Sequence, residues 1–132
     1  MGEREPAGVG WQVSVLTEVS TERIAIVGSR NFADLDQVRS FVDDLPLDTT
    51  VISGGAAGVD KTAIDVARAR GLNTVIYRPQ YERNGRGATF IRNREIAREC
   101  DRMVAFHDGK SRGTLHAIEC ARKEGKEVEI IY

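Results

Sequence analysis

Three short stretches of this 132-residue sequence combine glycine, hydroxyl and guanidinium groups in the manner that anion recognition demands. They are Gly28-Ser29-Arg30-Asn31, Ser53-Gly54-Gly55-Ala56-Ala57-Gly58-Val59-Asp60 and Asp108-Gly109-Lys110-Ser111-Arg112-Gly113-Thr114. Glycine lets backbone approach a guest closely, and a helix N-terminus presents unpaired N–H groups with a partial charge of about +0.5 e. Loops of this composition between a strand and a helix therefore suit phosphate. Hydroxyls from Ser29, Ser53, Ser111 and Thr114 and a guanidinium from Arg30 or Arg112 would complete the site. Turn geometry alone explains a single loop of this kind, but three at one sheet edge point to a shared ligand. The candidate binding set is Gly28, Ser29, Arg30, Ser53, Gly54, Gly55, Gly58, Asp60, Arg92, Asn93, Ser111, Arg112, Gly113 and Thr114.

Other chemistry is weaker. Lys61-Thr62 follows a glycine-rich turn, but Asp60 stands where a P-loop needs glycine, and Gly54, Gly55 and Gly58 do not space as the dinucleotide fingerprint G-x-G-x-x-G. Asp60 in the first turn of a helix serves either N-terminal hydrogen bonding or ligand contact. His107, Asp108 and His116 lack metal-ligand spacing, so neither a metal nor another cofactor is expected, although His116 is placed to touch a ligand. Cys100 and Cys120 read as small buried apolar residues. Arg78, Arg83 and Arg86 with Tyr77 and Tyr81 flank a long loop that reads as a lid over the sheet edge, or as a small nucleic-acid surface.

These loops need a scaffold. Apolar runs at 24–27, 51–53, 73–77, 103–106 and 128–131 read as five strands. Four helical patterns alternate with them. One runs from the Asp34/Gln37 capping pair to Pro46, one ends at Gly71, one carries Phe90, Ile91, Ile96, Ala97 and Cys100, and one runs from Gly113 to Gly125. Residues 80–87 read as a polar, basic loop. The alternation predicts an α/β, Rossmann-like three-layer sandwich around a mainly parallel sheet. With 41% hydrophobic residues the chain builds one core, assigned to residues 22–132, with 1–21 an extension that is either an edge strand or disordered. No leader or membrane span is apparent, which places the protein in the cytoplasm and away from membranes. Nineteen Lys and Arg against 20 Asp and Glu give a net charge of −1, so nucleic acid ranks behind a small nucleotide as partner.

Taken together, the three loops, Arg92-Asn93 and the run from Asp101 to Thr114 resemble the SLOG superfamily, and more narrowly its YspA/YpsA-related group, over about residues 22–132. The resemblance implies a Rossmann-like domain that binds nucleotides or nucleotide-derived ligands, and pairing as a homodimer. Relatives in that superfamily include the LOG phosphoribohydrolases, molybdenum-cofactor carriers and the DprA single-strand DNA loaders. LOG enzymes carry R-K-x-x-M, a small residue and Asp before the fourth strand, then P-G-G-x-G-T-x-x-E. Arg92 takes the arginine position, Cys100-Asp101 the next pair and Gly113-Thr114 the G-T. Asn93 replaces the lysine, Gly109-Lys110-Ser111 replace P-G-G, and Ala117 replaces the glutamate implicated in glycosidic cleavage. Arg92 is then the one catalytic residue carried over. A carboxylate is the natural partner of an oxocarbenium-like sugar, and Glu119, two positions past Ala117, points elsewhere on the helix. The leading expectation is therefore binding of a phosphate-bearing nucleotide at the strand ends by a sensor or processing module. LOG-like hydrolysis of nucleoside monophosphates and DprA-like single-strand binding stand as alternatives.

Overall fold

In the computed structural model, residues 21–132 are described. The proposed extension at 1–21 lies, but for residue 21, outside them. Five strands, β1 (Arg23–Gly28), β2 (Thr50–Ser53), β3 (Asn73–Ile76), β4 (Arg102–Phe106) and β5 (Glu127–Ile131), form one parallel sheet in the order β3-β2-β1-β4-β5. Between them run α1 (Leu35–Asp43), α2 (Val59–Ala69), a single turn α3 (Tyr81–Asn84) with a 3-10 turn at Gly85–Gly87, α4 (Ala88–Glu99) and α5 (Arg112–Lys123). The winding direction reverses between β1 and β4, which is where a doubly wound sheet opens a crevice beyond its strand ends.

Side chains alternate across the pleat, so each strand feeds two cores. Ile24, Ile26, Val51, Val104 and Phe106 pack on one face with Val38, Val42, Val59, Ala63 and Ala67 of α1 and α2. Ala25, Val27, Ile52, Met103 and Ala105 pack on the other with Ile96, Ala97, Ala117, Ile118 and Ala121 of α4 and α5. Cys100 and Cys120 are buried free thiols in this second core. The α/β sandwich expected from the alternation is the observed fold. The difference lies at residues 81–87, where the polar stretch coils into α3 and a 3-10 turn with no buried residue. Its turns are stabilised locally by the amides of Arg83 and Asn84 donating to the Gln80 carbonyl, a signal that hydrophobic periodicity does not carry.

Helix ends behave as their sequences dictate. Asp34 caps α1 by accepting from the Gln37 amide at 3.2 Å, and Ser111 caps α5 by accepting from the Thr114 amide at 3.3 Å. Two cations close C-termini from a distance. Lys126 donates to the carbonyls of Ala97, Arg98 and Cys100 at 2.8, 3.1 and 2.5 Å. Arg70 likewise reaches Val42 and Leu45 at 2.8 and 2.7 Å. Among the described residues, no helix is long and apolar enough to cross a membrane, and no group of three His, Cys, Asp or Glu could hold a metal ion.

Candidate nucleotide and strand-binding cleft

Because all five strands run the same way, the loops after β1, β2 and β4 emerge at one rim, and the order of β2, β1 and β4 makes them neighbours. A cleft of about 240 Å3 opens there, walled by Gly28 and Arg30, by Ala56 and Asp60, by Thr89, Arg92, Asn93 and Ile96 of α4, and by Ser111, Gly113, Thr114 and Ala117 of α5. Its floor is a set of internal bonds. The Ser29 hydroxyl accepts from the Asp108 amide at 3.0 Å and lies 3.3 Å from the Thr114 hydroxyl, which donates to Ser111 Oγ at 3.1 Å. Gly28 permits this closeness: a Cβ there would stand 2.6 Å from the Phe106 carbonyl and from Val59. Gly58, at φ +83°, presses its backbone against the Arg30 carbonyl in the same way.

The second loop is shaped by Asp60. The carboxylate is 4% exposed and accepts from the amides of Gly54 at 3.1 Å and Ala56 at 3.4 Å. Burial raises its pKa from 3.8 to about 6, against the pull of those amides and of Arg92. Arg92 crosses from α4 to donate to the Gly54 carbonyl at 2.6 Å and the Tyr77 carbonyl at 3.4 Å, while its Nε donates to Asn93 Oδ1 at 2.9 Å. Glycine at 54 leaves room for the Arg92 guanidinium, which a Cβ there would displace. Asn93 in turn donates to His116 Nδ1 at 3.0 Å. In the third loop the amides of Lys110 and Ser111 donate to Asp108 Oδ1 at 2.8 and 2.9 Å and hold its carboxyl below the usual range.

The cleft thus gathers Gly28, Arg30, Asp60, Arg92, Asn93, Ser111, Gly113 and Thr114 from the expected set. The others stand behind or beside it. Ser29 belongs to the floor, Ser53 donates to the Ile26 carbonyl at 2.8 Å, Gly54 is engaged by Asp60 and Arg92, and Gly58 backs onto Arg30. Gly55 faces a neighbouring concavity, and Arg112 is exposed without lining the cleft. His116 is likewise off the cleft, packed on Phe90. Val27, Ala56, Thr89, Ile96 and Ala117 line it without having been singled out as binding residues. Thr89 carries no motif, Ala56 offers no polar side chain within its loop, Val27 and Ile96 read only as core, and Ala117 enters only as the residue that replaces the LOG glutamate.

A family model described as DNA recombination-mediator protein A matches residues 12–79. The chain belongs to this family. No curated protein matches the sequence. Among solved structures, DNA processing protein A (DprA) from Streptococcus pneumoniae is similar with a TM-score of 0.70 and 24% identity, over 84% of this chain and 50% of that one. DNA processing protein A from Helicobacter pylori, described for its single-stranded DNA binding mode, gives a TM-score of 0.64 and 20% identity, over 83% of this chain and 65% of that one. This DprA-family chain therefore spans half of the first neighbour and 65% of the second, and shares their Rossmann-like fold.

Proposed function

We propose that the cleft binds single-stranded nucleic acid by its sugar–phosphate backbone, in the manner of a DprA-like domain, rather than a free nucleotide alone. Family membership supports this reading and reverses the rank that net charge gave to nucleic acid. The observation that carries it is local: Arg30, the Arg92 edge and the first turn of α5 converge on one cleft at the β1/β4 crevice. The N–H groups of Arg112 and Gly113, at the start of α5, have no intrahelical partner to use. A total charge near zero is compatible with such binding, because recognition of a phosphate depends on groups within a Debye length of about 8 Å. The test is fluorescence anisotropy of a labelled oligothymidylate against rising salt, with thymidine monophosphate as competitor. Salt-dependent binding that survives excess mononucleotide sustains the strand reading, and complete displacement by it replaces this with the next.

The second reading is a phosphate-bearing nucleotide as the whole ligand, favoured by the cleft's size of about 240 Å3. Assignment to the YspA-related SLOG group belongs with it, because that group is implied by loop motifs alone. Hydrolysis draws less support. Ala117 puts a methyl group in the cleft wall where the LOG enzymes carry glutamate, and Asp60 is engaged by two amides. Base release from nucleoside monophosphates, followed by chromatography, tests it. The homodimer implied by the resemblance is tested by sedimentation.

A further inference from the structure

A second concavity, of about 260 Å3, opens on the other side of the 54–58 loop, between α2 and the end of β3. Lys61, Asp65 and Arg68 of α2, Arg78 beyond β3 and Gly55 line it. Lys61 is paired with Asp65 at 2.7 Å, one helical turn away. Arg68 and Arg78 are exposed and make no ion pair among the described residues. Three cations against one carboxylate, gathered on a concave wall, leave surplus positive charge focused on this space.

This concavity adjoins the main cleft. Gly55 lines the one and Ala56 the other, and consecutive Cα atoms lie about 3.8 Å apart. The φ of +75° at Gly55 folds the ridge so tightly that a Cβ there would stand 2.8 Å from Arg78 Nη1. The backbone of Gly55 and Ala56 forms part of the ridge between the two hollows. A nucleic-acid strand carries one phosphate per nucleotide, spaced by about 3.4 Å or more along its axis, so a strand that crosses the ridge can set one phosphate in each hollow. A nucleoside monophosphate has one phosphate and cannot occupy both hollows.

We propose that the Lys61, Arg68 and Arg78 hollow is a second phosphate-binding subsite, receiving a further phosphate of the strand whose backbone is seated in the main cleft. The inference rests on the strand-binding reading above and adds to it a device that separates a polymer from a monomer. The test compares the wild-type chain with the R68A/R78A double variant, using fluorescein-labelled oligothymidylate and, by competition, thymidine 5′-monophosphate. Lys61 is left in place with its Asp65 partner. The expected result is an oligothymidylate affinity lower by about tenfold at low salt. The slope of log K against log salt should fall by about 0.7, the contribution of one single-strand phosphate. Monophosphate affinity and the melting midpoint should be unchanged, and R68K/R78K should restore the slope. An unchanged slope in R68A/R78A, with wild-type binding intact, overturns the subsite and leaves the strand reading standing. Equal losses for both ligands also overturn it, since the arginines would then act on the main cleft through their field. A wild-type chain that binds no oligothymidylate removes the strand reading and the subsite with it.

Discussion

Asp60 occupies the place an anion would take at the second loop, since its own carboxylate already receives the Gly54 and Ala56 amides. Phosphate is thereby directed to the α5 side of the cleft, toward Gly113, Ser111 and Thr114. Its raised pKa also makes it a source of pH dependence. The folded state holds a proton that the unfolded chain releases between about pH 4 and 6, so the contribution of Asp60 to stability falls as pH rises through that window. Asp60→Asn is expected to flatten the dependence of unfolding free energy on pH over this range, measured by urea denaturation. Because the ionised carboxylate opposes an anionic guest, the same variant should bind oligothymidylate more tightly at pH 7 and lose the gain that the wild type shows on acidification. An affinity unaltered at either pH would place the guest away from Asp60. At Arg92, replacement by Ala frees the Gly54 carbonyl and leaves Asp60 without its cation. A loss of about 1–3 kcal/mol in stability is expected, with at least a tenfold loss in oligothymidylate affinity. Arg92 at the rim was legible from its position ahead of the apolar half of α4. Its grip on a loop 38 residues away was not, because long-range hydrogen bonds leave no periodic trace.

At the level of elements, strands and helices followed from local pattern. The runs at 24–27 and 103–106 are uninterrupted because β1 and β4 are interior strands covered on both faces. β5 departs from this. Glu127 and Glu129 alternate with less exposed neighbours as befits an edge strand, and like charges along an open edge discourage pairing with another chain. That the glycine-bearing loops would share a rim was legible from parallel strand order. Which of their donors are already satisfied from within was legible only in part: Asp60 reads as either an N-terminal hydrogen-bonding group or a ligand contact, and the role of Asp108 in holding the Lys110 and Ser111 amides emerges only once the backbone is placed. The Lys126 clamp gives a prediction at this scale. Lys126→Met removes three carbonyl partners at the end of α4 and should cost about 1–2 kcal/mol by chemical denaturation. Lys126 does not line the cleft, whose polar groups on α4 are Thr89, Arg92 and Asn93 in the N-terminal half of that helix, so oligothymidylate affinity should not change. A parallel drop in affinity would mean that the α4 C-terminus and the cleft move as one.

For the molecule as a whole, near-neutral charge and a basic rim imply association that depends on where charge sits rather than on its sum. A strand present at about 100 times its Kd should stabilise the fold by about 2.7 kcal/mol, seen as a rise in melting midpoint that disappears at high salt. The absence of any rise, with binding shown by anisotropy, would mean that the unfolded chain holds the strand equally well. Ser29, Thr114, Ser111 and Asp108 are bonded to one another, so the floor beneath the strand ends is held in place by the protein's own bonds. An arriving strand is expected to dock on this bonded floor without a slow opening step. Stopped-flow traces should follow a single exponential whose rate climbs linearly with concentration, without the plateau that a slow opening step would impose.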